Sequence, residues 1–123
     1  MCFIGIPVQI CPFPQFDIQV RFFVKYLAGE LTLPSQEAML EDSEDEKSRK
    51  LDQGIPSPHF HKMGNTQWDY NRSLCKQGDL NPLRKAVENL YNDVHERRRH
   101  DLISYKKDVY ELLTDKDEYK RVV

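Results

Sequence analysis

The chain has no apolar run near the roughly 20 residues that cross a bilayer, no Cys-x-x-Cys pair, no Gly-x-Gly-x-x-Gly turn and no large excess of either charge. Each absence removes a class of function. Without the apolar run, and with "DKDEYKRVV" as the last residues, the expectation is a chain with no membrane anchor. The five glycines are too widely spaced for the turns that cradle dinucleotide or nucleoside phosphates, and His-Glu-x-x-His is missing as well. Cys2, Cys11 and Cys75 fit no zinc-ligand spacing and read as three reduced thiols, which points to a cytoplasmic location. A net charge of -2 supplies no global field to gather nucleic acid. No Ser/His/Asp or Cys/His constellation can be assembled.

The 123 residues are enough for one small domain, but the apolar ones crowd into the first 33 positions. Phe3-Ile4-Gly5-Ile6 has the unbroken apolar character of a strand covered on both faces, and nothing later in the chain offers strands to flank it. Pro12 and Pro14 then stiffen a turn, and Pro14 suits the first position of a helix, because its missing N–H costs nothing there. That helix, Pro14 to Ala28, is apolar nearly all round, as in the interior of a larger body, and Gly29 closes it.

Ser35 is placed to cap a second helix, where the acidic run from Glu41 to Glu46 precedes Lys47, Arg49 and Lys50. This order favours the helix dipole and predicts a solvated helix. Residues 52–64 read as a Gly/Pro loop, Asn65 as the start of a short helix anchored by Trp68, and Asn81-Pro82 as the opening of a further helix ending near Tyr105. The remaining tail has some extended character. His59-x-His61 has the spacing of a metal pair in a strand, but it lies in a Pro-flanked loop without a third ligand and is read as surface. Arg97-Arg98-Arg99 is surrounded by acidic residues and reads as a solvated helix end, with an independent helical interaction domain as the functional alternative.

The stretch "FIGIPVQICPFPQFDIQVRFFVKYLAGELTLPS" resembles the C-terminal part of flavin-containing monooxygenases. In that family an F-I-G strand leads to a helix carrying an acidic residue, an apolar one and Gln, and then to G-x-x-x-L-P-S. The corresponding residues are Phe3-Ile4-Gly5, Asp17-Ile18-Gln19 and Gly29 to Ser35. "EAMLED" and "HFHKMGNTQWDYNRSL" are similar to the senecionine N-oxygenase-like branch.

The resemblance implies an α/β fold class: a C-terminal fragment of a FAD/NAD(P)-binding Rossmann-type fold, one buried strand followed by three or four helices. Residues 1–34 would be the last strand and helix of the FAD-binding domain, and residues 35–123 a helical extension. It implies an enzyme that uses FAD, NADPH and O2 to oxygenate nucleophilic nitrogen or sulfur in small molecules. The glycine-rich motifs for both nucleotides are absent from this chain, which alone is expected to be inactive. The loop Pro7 to Phe13 would run near the flavin ring, with the helix N-terminus aimed at its pyrimidine edge, and Gln9 and Gln19 would be the cofactor-binding residues. A non-catalytic product that docks on a full-length relative through the apolar helix is the alternative.

Overall fold

Proline decides where the first helix starts. In the computed structural model, which describes residues 1–123, α1 runs Pro12–Leu27 and so begins two residues earlier than the sequence pattern predicts. Pro12 takes the first helical position, and Pro14, at the third, also lies where no intrahelical acceptor waits for its nitrogen. Gly29 ends the helix at φ 76°, with its N–H on Tyr26 O (3.1 Å) and the Glu30 N–H on Lys25 O (3.0 Å). This is the paired bond pattern that a left-handed glycine permits.

The chain forms two compact units, Met1–Asn81 and Pro82–Val123. The first contains α1, α2 (Gln36–Asp52) and α3 (Gln67–Gln77), with 3-10 turns at Ser57–His59 and Gly64–Thr66. Ser35 caps α2 as expected, accepting from the Ala38 N–H at 3.2 Å, and no residue of α2 is buried. Its Glu44–Lys47 and Glu46–Lys50 pairs lie on the surface, worth a few tenths of a kcal/mol each. Trp68, Cys75 and Ile18 form the apolar part of this unit's interior. Gly78 closes α3 against the Phe22 ring of α1: a Cβ there would lie 2.8 Å from that ring, so this close approach needs the missing side chain.

Two expectations are corrected. Phe3 to Ile6 is neither buried nor a strand within this chain. Phe3 is 69% exposed, Ile4 39% and Ile6 48%, and Gly5 bends the backbone at φ 79°. An apolar run becomes a strand only when a neighbour takes its alternate amides and carbonyls. Here the nearest approach to a ladder is one isolated parallel bridge, Val8 to Lys62. The only sheet is antiparallel and lies at the other end of the chain, which is otherwise helical.

That sheet belongs to the second unit. There α4 (Lys85–His100) is followed by a 3-10 turn, Tyr105–Lys107, and a hairpin of β1 (Tyr110–Leu112) and β2 (Tyr119–Arg121), with Tyr110 opposite Arg121 and Leu112 opposite Tyr119. The helix stops at His100, short of Tyr105, because the Asp101 carboxylate accepts the Ser104 N–H (2.9 Å) and turns the backbone. The hairpin ties itself to both ends of α4. Asp117 accepts the Lys85 and Ala86 N–H groups, each at 3.0 Å, so the cap comes from the hairpin because Arg84 at the N-cap has no oxygen to offer. At the other end Asp108, its side chain only 4% exposed, takes Arg97 at 2.9 Å and Arg121 at 2.6 Å. The Tyr119 hydroxyl meets Asp93 on the helix face; burial and that carboxylate push its pKa up to about 12. The basic run is therefore partly committed: Arg97 pairs with Asp108 and Asp101, and Arg99 with Glu96.

The backbone amides of α4 hold the Asp117 carboxyl below the ordinary aspartate range, and the Arg97 hydrogen bond does the same for Asp108. A depressed folded-state pKa contributes stability above the unfolded value that is lost as pH falls through the folded one. The hairpin is expected to stay on α4 at neutral pH and release below the ordinary aspartate range. Amide chemical shifts of residues 110–121 followed through an acid titration check this, and Asp117→Asn should move the release to higher pH.

Candidate functional site

The chemistry available to the first unit lies between α1 and α3, and it is made of carboxamides. Gln67 meets Cys11, Tyr70 meets Gln19 and Gly78 meets Phe22, so residue numbers rise together and the two helices run in the same direction. Gln15 and Gln19 are one turn apart on α1, as are Gln67 and Asn71 on α3, which puts each pair on the buried face. All four are buried, Gln15 and Gln67 completely.

These amides hold the segment that precedes α1. The Gly5 N–H donates to Gln19 Oε1 at 3.0 Å, and the Cys11 N–H to Gln67 Oε1 at 2.6 Å. Between them, Val8 N–H donates to His61 O (2.8 Å), and the amides of Met63 and Gly64 donate to the carbonyls of Val8 and Gln9, each at 3.0 Å. Residues 5–11 are thus pinned to α1 at Gly5, to the loop before α3 at Val8 and Gln9, and to α3 at Cys11. Gln67 completes the link by donating Nε2–H to Gly64 O at 2.7 Å.

The two residues singled out for cofactor contact sit differently. Gln9 is exposed and holds a left-handed backbone at φ 57°, with its carbonyl accepting from Gly64. Gln19 is turned inward, its Oε1 on Gly5 and its Nε2 on the Tyr70 hydroxyl at 2.9 Å. Gln15, Gln67, Asn71 and Tyr70 were not singled out from the sequence. The one-turn spacing of the paired amides was the available signal, but such residues usually face water.

Partial burial raises the Cys11 thiol pKa. No group of three or more His, Cys, Asp or Glu side chains is placed to hold a metal ion. His61 lines a small cleft of about 320 Å³ with Lys50, Phe60 and Tyr70. There Lys50 is engaged by Glu46 (2.6 Å) and Phe60 O (2.8 Å).

No family model matches this chain. Among curated proteins it is 42% identical over 77 residues to the flavin-containing monooxygenase FMO GS-OX-like 5 of Arabidopsis thaliana, covering 63% of this chain and 17% of that protein. To FMO GS-OX-like 7 of the same plant it is 36% identical over 113 residues, 88% of this chain and 24% of the relative. Among solved structures, the S-allyl-L-cysteine S-oxygenase from Allium sativum superposes at a TM-score of 0.80 with 30% identity, covering 85% of this chain and 24% of that one. The resemblance read from the sequence therefore holds, and the chain spans 17% to 24% of the length of these relatives.

Two polar side chains in the α1–α3 interface are left over. Gln15 donates to Met63 Sδ at 3.5 Å while its Oε1 has no partner, and neither amide atom of Asn71 has one. Unpaired buried polar groups cost about 1–3 kcal/mol. Asn71→Leu, nearly equal in volume, is expected to raise the midpoint of thermal unfolding; a lowered midpoint would count against the packing described.

Proposed function

We propose that this chain, homologous to a segment of plant flavin-containing monooxygenases, supplies the C-terminal part of such an oxygenase, whose complete form uses FAD, NADPH and O2 to oxygenate soft nitrogen or sulfur in small molecules. The observation that carries the reading is the 0.80 superposition, at 30% identity, over 85% of the chain. In this reading residues 1–34 correspond to the last strand and helix of the FAD-binding domain, and residues 35–123 to a largely helical extension that ends in the hairpin. The exposed apolar run from Phe3 to Val8 supports that assignment, since it has the composition of a buried strand and no neighbouring strand in this chain.

The residues present do not fit a nucleotide diphosphate. Of the four amides that a helix start leaves free, two are abolished in α1 by Pro12 and Pro14 and the Cys11 N–H is taken by Gln67, leaving that of Phe13. In the proposed assembly the phosphates of FAD and NADP(H) are held by other parts of the enzyme. Gln9 would supply a polar contact to the flavin, a role its exposed side chain allows. Gln19 acts from behind the loop by holding Gly5 and reaches the cofactor only through that loop.

A second reading is docking onto a full-length relative. One observation favours it: Val20, Val24 and Leu27 make an exposed apolar stripe on α1, 45%, 54% and 66% accessible. Phe16, Phe22 and Phe23 on the same helix lie outside this stripe and are half-buried.

The purified chain alone is expected to carry no flavin absorbance and to show no substrate-dependent NADPH oxidation. Co-expressed with an Arabidopsis GS-OX-like enzyme lacking its matching segment, it is expected to restore S-oxygenation. Flavin bound to the chain alone, or no restoration by a soluble, co-purifying pair, would contradict the reading. Restored activity with the intact relative left unchanged separates it from docking.

A further inference from the structure

The turn that follows α4 in the second unit carries two adjacent aliphatic residues, Leu102 at 69% exposure and Ile103 at 86%. The next two residues, Ser104 and Tyr105, are half-buried, so the turn sends its aliphatic members outward and its hydroxyl-bearing ones inward. This reverses the usual allocation. The backbone that carries the pair is held in place: the Asp101 carboxylate accepts the Ser104 N–H, the Asp101 carbonyl the Tyr105 N–H at 3.2 Å, and the Ser104 carbonyl the Lys107 N–H at 2.8 Å.

Cations rim the pair. Arg97 is taken by Asp101 and Asp108, and Arg99 and His100 by Glu96, so every carboxylate between positions 96 and 108 is engaged. Arg98, Lys106 and Lys107, each within four residues of the pair, are exposed and pair with no carboxylate; Lys106 lies over the Tyr105 ring. A nucleic-acid phosphate would use these cations and leave the aliphatic pair in water. Protruding aliphatics with uncompensated cations beside them match a surface that is negative outside and apolar beneath.

We propose that residues 101–104 dock the second unit on an anionic bilayer surface, with Leu102 and Ile103 entering the interface and Arg98, Lys106 and Lys107 meeting the lipid headgroups. The contact is peripheral and reversible, and it needs no spanning element; no helix of the chain is long and apolar enough to be one. It rests on the second unit alone and is independent of the oxygenase reading.

Flotation of the full chain with phosphatidylcholine vesicles, plain or containing about one-third phosphatidylserine, tests the proposal. Binding is expected to the anionic vesicles and should weaken as salt screens the cations. Leu102→Ser with Ile103→Ser should weaken it by about tenfold or more. Arg98→Gln with Lys107→Gln should cost about twentyfold, at about fivefold per cation. All four positions are exposed, and circular dichroism should show both variants folded. No binding by the wild-type chain, or equal binding to the two vesicles, would overturn the proposal, and this comparison decides even if a variant fails to fold. A folded aliphatic variant that binds like the wild type would place the contact elsewhere, as on the α1 stripe, and overturn it too. So would poly-glutamate bound by a chain that ignores vesicles, the behaviour of a seat for an acidic protein.

Discussion

A carboxamide that can give and take at once is the constraint on which the first unit depends. Gln67, completely buried, accepts the Cys11 N–H at 2.6 Å and donates to Gly64 O at 2.7 Å, so one side chain joins the start of α1 to the turn that leads into α3. Gln19 repeats the arrangement one layer further along, between Gly5 and Tyr70. A backbone segment as poor in ladder partners as residues 3–11 would leave its amides to water without these clamps. With them, an exposed apolar stretch keeps a defined path over the unit. The design is polar where a core of this size is usually apolar, and the unmatched atoms of Gln15 and Asn71 are its cost.

How much of this could be read in the sequence follows from the kind of signal each element carries. Helix ends were legible because proline, serine and glycine act locally: Ser35 caps α2, and Gly29 closes α1 through its left-handed backbone. The start of α1 shifted because two prolines, at 12 and 14, both satisfy the first turn. Phe3 to Ile6 was misread within this chain because apolar β-branched composition describes what a segment buries, whereas a strand is defined by its neighbours. The hairpin gave only a hint of extended character, since each strand has three residues and its hold on α4 comes from Asp108 and Asp117, ordinary surface residues by composition. The family likeness was legible from short motifs and survived the comparison with relatives. The clamp residues were not, because amides one turn apart in a helix usually mark the face turned to water.

The two units differ in what holds them. In the first, neutral amides tie backbone to helix; in the second, carboxylates and guanidinium groups fasten a hairpin to a helix. The first should therefore be indifferent to pH and salt, whereas the second depends on ionised aspartates. Residues 5–11 thus rest on the less titratable of the two units. In this chain their path is set by the side chains of Gln19 on α1 and Gln67 on α3.

The most direct test of that central claim is hydrogen–deuterium exchange resolved at single amides in the N-terminal segment. The account predicts that Gly5, Val8 and Cys11 exchange markedly more slowly than Phe3 and Ile4, and that Gln67→Leu releases Cys11. Uniformly fast exchange from residue 3 through residue 11 in the unaltered chain would contradict it.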